Sequence, residues 1–254
     1  MQQTGMAGQL AGRTAVITGG SRGIGRAIAL ALAGEGANIA FCHLDDDRAD
    51  QTAAEIAAKG RKVAHRSVDL RDLDQLDAFM VEMKDVFGTP DILVNNAGGS
   101  IVMPFTALTR DTYDQVMNLN FRATVFATHA VFEDMLARGS GRIINIASQL
   151  GLRGEGAMTL YAAAKAALIG LTRSLAREGA PHGVLVNAIA PGPILTERFL
   201  AAPEDKRAAI SERLPLQRCG TPEELGATAV LLAGPGGSFY VGACLSPNGG
   251  DVMH

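Results

Sequence analysis

The chain has 254 residues, of which 47% are hydrophobic and 19% charged, and its formal net charge is −3. This composition suits a well-buried core, and the slightly acidic balance argues against a nucleic-acid partner. No apolar run reaches the ~18 residues needed to span a membrane, and residues 1–12 lack the basic start and apolar stretch of a signal peptide.

Short β-branched runs alternate with alanine-rich helical stretches along the whole chain. Predicted strands cover residues 14–18, 38–43, 62–69, 92–95, 142–147, 185–190 and 242–246. Most are apolar throughout, which is typical of strands that are covered on both faces. Predicted helices begin near residues 24, 46, 73, 109, 161 and 221. The alternation predicts one α/β domain over residues 1–254, with a doubly wound parallel sheet of about seven strands and helices on both faces.

Residues 1–11 are expected to form a loose N-terminus. The three cysteines, Cys42, Cys219 and Cys244, are scattered and match no zinc or disulfide spacing. They predict buried free thiols in a reducing cytoplasm, and the sequence offers no metal site.

The first predicted strand runs into a glycine-rich turn, residues 18–25, directly before a helix. Glycines permit a tight turn and close approach to a pyrophosphate, and the helix N-terminus offers unpaired N–H groups. The glycines at 19, 23 and 25 do not match the spacing G-x-G-x-x-G. The turn therefore predicts a different dinucleotide-binding loop, with a glycine-rich turn that binds nothing as the alternative.

Tyr161 and Lys165 are four residues apart on a predicted helix, so their side chains share one face. A free phenol titrates near pH ~10, and a close cation favours its ionised form. Ser148 precedes Tyr161 by thirteen residues and follows a predicted strand, where it could hold a substrate oxygen. The three residues predict a proton-transfer site for a carbonyl or an alcohol.

Two further motifs follow predicted strands: Asn95-Asn96-Ala97-Gly98, and Pro191-Gly192 with Thr196. With the glycine loop and Ser148, Tyr161 and Lys165, they resemble the short-chain dehydrogenase/reductase family from about residue 10 to the end. Length and the tail from Leu245 are similar to 3-oxoacyl-acyl-carrier-protein reductases within it. The resemblance implies a Rossmann-like domain and an oxidoreductase that transfers hydride between a nicotinamide and a carbonyl or secondary alcohol.

The resemblance also implies roles for four residues. Tyr161 would exchange the proton, and Lys165 would lower its pKa and bind the nicotinamide ribose. Ser148 would orient the carbonyl, and Asn120 would hold a water that links Lys165 to solvent. Asn95 is expected to be structural.

Cofactor contacts implied by the family fall on the loops that follow the strands. They are Gly19, Ser21, Arg22, Gly23, Ile24, Gly25, His43, Asp69, Leu70, Asn96, Ala97, Gly98, Tyr161, Lys165, Pro191, Gly192, Ile194 and Thr196. The expected substrate pocket comprises Gly99, Ser100, Gln149, Leu150 and Met158, with residues 193–215 as a helical flap that covers it.

The end of the second predicted strand bears on the choice of cofactor. Relatives that prefer NAD place an Asp where this chain has His43, and Arg22 has the geometry to pair with a 2′-phosphate. We therefore expect NADP(H). NAD(H) stays possible because Leu44 stands where many NADP enzymes carry Arg, and residues 45–47 are all Asp.

The substrate expected from the resemblance is a small-molecule carbonyl, most specifically a 3-oxoacyl thioester. Oxidation or reduction of a sugar, polyol or other small alcohol is the alternative, because few basic residues are present to dock an acidic carrier protein. A catalytically idle NADP-binding redox sensor is a further alternative. Relatives are commonly tetramers, and the predicted helix over 109–136 carries more apolar residues than one sheet-facing stripe requires, so we expect a homotetramer.

Overall fold

Seven parallel strands form one sheet in the computed structural model, which describes residues 8–253. In chain order they are β1 (Thr14–Thr18), β2 (Asn38–His43), β3 (Val63–Ser67), β4 (Ile92–Asn95), β5 (Gly141–Ile146), β6 (Val184–Ile189) and β7 (Cys244–Leu245). Their order across the sheet is β3-β2-β1-β4-β5-β6-β7. The direction of winding changes between β1 and β4, the position at which doubly wound sheets bind ligands. The predicted fold is confirmed.

Ten α-helices lie within the described residues. They are α1 (Gly23–Gly34), α2 (Ala49–Ala58), α3 (Leu73–Phe87), α4 (Arg110–Met117), α5 (Ala123–Arg138), α6 (Leu150–Arg153), α7 (Thr159–Gly179), α8 (Glu197–Leu200), α9 (Glu204–Arg213) and α10 (Pro222–Ala233). A π-helical turn, Asn118–Arg122, joins α4 to α5. None of these helices is long and apolar enough to cross a bilayer.

Successive strand residues point into two separate cores. Ile17 and Phe41 pack with residues of α1 and α10 on one face of the sheet. Val16 and Ala40 pack with residues of α3 and α5 on the other face. Because side chains alternate along a strand and both faces are covered, the central strands are apolar at most positions.

Buried hydrogen bonds cross the centre of the sheet where β4 pairs with β5. Asn95 Nδ2 donates to Asn145 Oδ1 at 2.9 Å and to Thr128 Oγ1 at 3.0 Å. Asn145 Nδ2 donates to Thr172 Oγ1 at 2.9 Å. A buried amide without partners is costly, so these bonds fix the ends of β4 and β5 relative to α5 and α7. Asn95 thus occupies a structural position.

Some predicted boundaries were wrong. Strand β3 ends at Ser67, so Asp69 lies in the loop beyond it, because this edge strand is only partly buried. Helix α2 begins at Ala49, and Asp46 lies buried in the preceding turn. Residues 8–11 are not loose: Leu10 is fully buried, and its N–H donates to the Glu35 carbonyl at 2.9 Å. The rest of the predicted loose segment lies outside the described residues.

Candidate active site

A cavity of about 1250 Å³ opens at the carboxyl ends of the central strands. It brings together nearly all the predicted site residues. Those that line it are Gly19, Ser21, Arg22, Gly23, Ile24, His43, Asp69, Leu70, Asn96, Ala97, Gly98, Gly99, Ser100, Ser148, Gln149, Leu150, Met158, Tyr161, Lys165, Pro191, Gly192, Ile194 and Thr196. Gly25 and Asn120 do not line the cavity but lie directly behind residues that do.

The glycine-rich turn between β1 and α1 is packed too tightly for a side chain at Gly25. A Cβ on Gly25 would stand 2.0 Å from the Gly19 carbonyl oxygen and 2.4 Å from Asn96 Nδ2. Asn96 Nδ2 donates to the carbonyls of Thr18 at 3.0 Å and Gly19 at 2.9 Å. Gly25 therefore lets α1 begin against the turn, and Asn96 fixes the turn to the end of β4.

The N-terminus of α1 is open toward the cavity. Its capping position, Arg22, makes no side-chain capping bond, and the first turn contains no acidic residue. The first N–H groups of a helix have no partner inside the helix and carry positive dipole character. This end of the cavity therefore suits an anion such as a pyrophosphate.

Tyr161 and Lys165 meet Ser148 in the middle of the cavity. Helix α7 places both side chains on one face, one turn apart. Lys165 Nζ lies 5.6 Å from the centre of the Tyr161 ring and donates to the Ile146 carbonyl at 2.8 Å. The Ser148 hydroxyl accepts a hydrogen bond from the Leu150 N–H at 3.1 Å, which holds it just beyond the end of β5.

The environment shifts the two titrating groups in opposite directions. Burial raises the pKa of Tyr161, although a hydrogen bond with Ser148 and the charge of Arg198 act to lower it. Burial lowers the pKa of Lys165 to about 8. The sequence predicted that Lys165 lowers the pKa of Tyr161. In the structure the cation whose charge lowers the pKa of Tyr161 is Arg198, while the Lys165 ammonium donates to the Ile146 carbonyl.

Asn120 lies in the π-helical turn and is fully buried. Its Nδ2 donates to the carbonyls of Val116 and Gly99, both at 2.8 Å, and its Oδ1 accepts from the Gly99 N–H at 3.1 Å. A Cβ on Gly98 would stand 2.7 Å from Asn120 Oδ1 and 3.1 Å from Lys165 Nζ. Asn120 thus sits directly behind the cavity wall, close to Lys165.

The sequence analysis did not identify the buried carboxylate of Asp46. Ser21 Oγ donates to Asp46 Oδ2 at 2.6 Å, and Arg48 Nε donates to Asp46 Oδ1 at 3.1 Å. Burial would raise the pKa of Asp46, but these bonds outweigh it and hold the pKa at about 2. The only signal in the sequence was three successive acids after β2, which also suited a helix cap.

The neighbouring predicted contacts are engaged with other side chains. His43 Nε2 lies 3.3 Å from His65 Nδ1, and burial together with His65 lowers the pKa of His43. Arg71 Nη2 donates to Asp69 Oδ2 at 2.7 Å. Both Asp69 and His43 line the end of the cavity next to β2 and β3.

The predicted flap contains helices α8 and α9, which line the cavity on its open side. Thr196 caps α8 by accepting from the Phe199 N–H at 3.4 Å. Arg198 Nη2 donates to the Ser100 carbonyl at 2.6 Å, so the flap reaches the opposite wall. The far wall is tied to the C-terminal segment, because Gln149 Nε2 donates to Asp251 Oδ2 at 2.5 Å. Arg198 and Asp251 were not predicted, since no local motif marks them.

The chain matches a family model over most of its length and many known proteins over nearly its whole length. The model described as short chain dehydrogenase matches residues 13–207. A galactitol 2-dehydrogenase of Agrobacterium fabrum is 37% identical, over 96% of this chain and 99% of that protein. A 3-oxoacyl-acyl-carrier-protein reductase of Vibrio harveyi is also 37% identical, with the same coverage of 96% and 99%.

Solved structures agree with this assignment. A blue fluorescent protein from a metagenomic library, in complex with NADPH, superposes with a TM-score of 0.91 at 38% identity. The alignment covers 96% of this chain and 100% of that chain. A short-chain dehydrogenase/reductase of Serratia marcescens superposes with a TM-score of 0.89 at 35% identity, over 96% and 100% of the two chains.

Relatives with different named substrates match this chain equally well. The comparisons therefore establish its family but do not identify its substrate. The family binds NAD or NADP and works on small molecules. By fold, motif and similarity, this chain belongs to the short-chain dehydrogenase/reductase family of oxidoreductases.

Proposed function

We propose that the chain is an NADP(H)-preferring reductase of 3-oxoacyl thioesters, of the kind carried by acyl carrier protein. The observation that carries the proposal is the convergence of Ser148, Tyr161 and Lys165 in the cavity that also holds the glycine-rich turn. Proton-transfer groups and a dinucleotide cradle in one cavity are what carbonyl reduction requires. The similarity to the Vibrio harveyi reductase supports the thioester.

The residues present fit a dinucleotide. The open N-terminus of α1 is suited to the pyrophosphate, and Gly25 has no room for a side chain. The Lys165 ammonium has three N–H donors, of which one is directed to Ile146. Its other donors are available for ribose hydroxyls. When bound, the nicotinamide supplies or accepts the hydride.

Each polar side chain then has a role. In reduction, the Tyr161 hydroxyl donates its proton to the carbonyl oxygen, and in oxidation the phenolate accepts it. Ser148 donates a hydrogen bond to the same oxygen and stabilises the charge that develops there. Asn120, hydrogen-bonded to Gly99 beside Lys165, would hold the water that returns the proton to Lys165.

The preference for NADP(H) is supported at the adenosine end of the cavity. Arg22 is largely exposed, and its nearest carboxylate oxygen, on Asp46, is 3.9 Å away, so its guanidinium is free to turn to a 2′-phosphate. The charge of Asp46 is compensated by Ser21 and Arg48. The carboxylate that would otherwise repel the phosphate is therefore already engaged.

A polyol dehydrogenase is the second candidate. The galactitol 2-dehydrogenase of Agrobacterium fabrum matches this chain as well as the reductase does. The cavity wall also carries polar side chains, including Gln149 and Arg153, which have the chemistry to bind hydroxyl groups. The residues proposed for carbonyl reduction would then catalyse oxidation of an alcohol; they are Asn120, Ser148, Tyr161 and Lys165.

Replacing Tyr161 with Phe removes the proposed proton donor. We expect turnover to fall by about 10²–10⁴-fold, the usual contribution of general acid–base catalysis, with cofactor affinity unchanged. Initial rates with a short 3-oxoacyl thioester and a fluorescence titration of cofactor measure the two effects. Tyr113→Phe, on the exposed surface of α4, serves as the matched control. Near-normal turnover of Tyr161→Phe would show that another group transfers the proton.

Arg22→Gln tests the choice of cofactor. We expect the Kd for NADPH to rise about tenfold or more, because a charge-assisted hydrogen bond contributes about 1.5–3 kcal/mol. The Kd for NADH should change little. In the control Arg177→Gln, which alters an exposed arginine, the Kd values for NADPH and NADH should both change little. Tighter binding of NADH than NADPH by the unaltered chain would overturn the preference.

The buried Lys165 predicts a pH-dependent stability. Its pKa falls from 10.5 to about 8 on folding. Between these values the unfolded chain binds a proton that the folded chain does not, so stability rises with pH. Relative to Lys165→Met, we expect the unfolding free energy to increase by roughly 2 kcal/mol from about pH 7.5 to 9.5.

Urea unfolding of both chains measures this difference. The comparison removes the opposing contribution of Cys42, whose pKa burial raises to about 12 and which is present in both chains. Equal slopes against pH in the two chains would show that Lys165 keeps its ordinary pKa.

We also propose that the chain forms a homotetramer. Phe239 is 98% exposed, and Phe126 on α5 is 40% exposed, which leaves large apolar side chains uncovered in one copy of the chain. Light scattering of the purified protein should give four times the mass of one chain. A mass of one chain would contradict the proposal.

A further inference from the structure

Helix α9 turns a basic face toward the cavity. Lys206, Ile210 and Arg213 line the cavity at the spacing that one helix face shares. Lys206 and Arg213 stand roughly 10 Å apart along the helix axis. The acidic residues of the same helix do not line the cavity; they are Glu204, Asp205 and Glu212.

Three basic side chains of the flap form no ion pair with any of the described residues. The other arginine on the substrate side, Arg153, is paired with Glu155 at 2.8 Å and Asp251 at 3.1 Å. Over residues 8–253, by contrast, no carboxylate oxygen lies within 4.0 Å of the cationic nitrogens of Arg198, Lys206 or Arg213. Neighbouring cations without partners create a positive potential that attracts an anion.

Of these three cations, Arg198 lies close to the proposed reaction centre. Arg198 Nη2 donates to the Ser100 carbonyl at 2.6 Å and lies 3.2 Å from the Ser100 hydroxyl. Its charge acts on the Tyr161 hydroxyl. Lys206 and Arg213 lie further along the flap, on the next helix. The flap therefore suits a substrate whose anionic group lies at some distance from its reacting carbonyl. The carbonyl would lie near Tyr161, and the anionic group would lie near Lys206 and Arg213.

We propose that Lys206 and Arg213 form a binding subsite for the pantetheine 4′-phosphate of an acyl thioester. This inference rests on the proposed thioester reductase function and specifies how its substrate is held. The 4′-phosphate is common to coenzyme A and to the prosthetic arm of acyl carrier protein, and it lies at the opposite end of the pantetheine from the thioester. Lysine and arginine are the side chains suited to a phosphate.

Two substrates that differ only in the phosphate test the subsite. They are acetoacetyl-4′-phosphopantetheine and acetoacetyl-pantetheine. In Lys206→Gln/Arg213→Gln we expect the KM for the first to rise about tenfold or more, with kcat and the KM for the second unchanged. Added salt should weaken the advantage of the phosphate in the unaltered chain, because both cations are exposed.

Lys59→Gln/Arg177→Gln is the matched control, since it removes two exposed cations that do not line the cavity. It should leave both KM values unchanged. Equal KM values for the two substrates in the unaltered chain, or the same phosphate advantage in the flap variant, would overturn the subsite while the reductase function stands.

Failure of the proposed function gives a different result, since neither thioester would then be reduced. In that case calorimetric binding of 4′-phosphopantetheine and pantetheine to the cofactor-saturated protein decides the subsite. A phosphate preference that is lost in the flap variant supports it, and the absence of any preference overturns it. Where the thioesters are reduced, kinetics of the flap variant with acetoacetyl-coenzyme A and with acetoacetyl-acyl carrier protein distinguish the two sources: a KM raised for only one carrier assigns the phosphate to that carrier.

Discussion

Two adjacent asparagines at the end of β4 hold the proposed site together. The Asn95 side chain bonds to Asn145 on β5, while the Asn96 side chain bonds to the turn that follows β1. Strand β4 lies between β1 and β5 in the sheet, so one strand end can anchor both neighbours. Through β5 this fixes Ser148, and through the turn it fixes the N-terminus of α1. The distance between the glycine-rich turn and Ser148 is therefore set by the amides of Asn95 and Asn96 and not by the ligand.

Burial shifts the pKa values of the two central titrating residues. Lys165 and Tyr161 both lose hydration, which favours their uncharged forms and shifts their pKa values in opposite directions. Perturbed groups that share a cavity are typical of functional sites. Hydrogen bonds from Lys165 to ribose hydroxyls would favour its charged form again. Under the proposed function, cofactor binding would thus change the charge beside Tyr161, and the proton-transfer step would depend on the cofactor being in place.

The sequence predicted those structural features that depend on the local pattern of residues. β1, β2 and β4 have the predicted bounds, because burial on both faces requires the apolar runs by which they were recognised. Features that depend on distant parts of the chain were not predictable. Asp46 is buried by Ser21 across 25 residues of sequence, and Arg198 reaches Ser100 across 98. The π-helical turn at Asn118–Arg122 was not predicted.

The flap is where substrate classes would be distinguished. The Tyr, Lys and Ser chemistry serves a ketone in a thioester and an alcohol in a polyol equally well, so it cannot select between them. Selectivity requires a contact that one substrate makes and the other lacks. On α9 the basic residues line the cavity and the acidic ones do not, which concentrates one sign of charge there. A neutral polyol gains nothing from that charge, whereas a phosphorylated pantetheine arm gains affinity far from the reacting carbonyl. Such remote binding energy can position the carbonyl for hydride transfer.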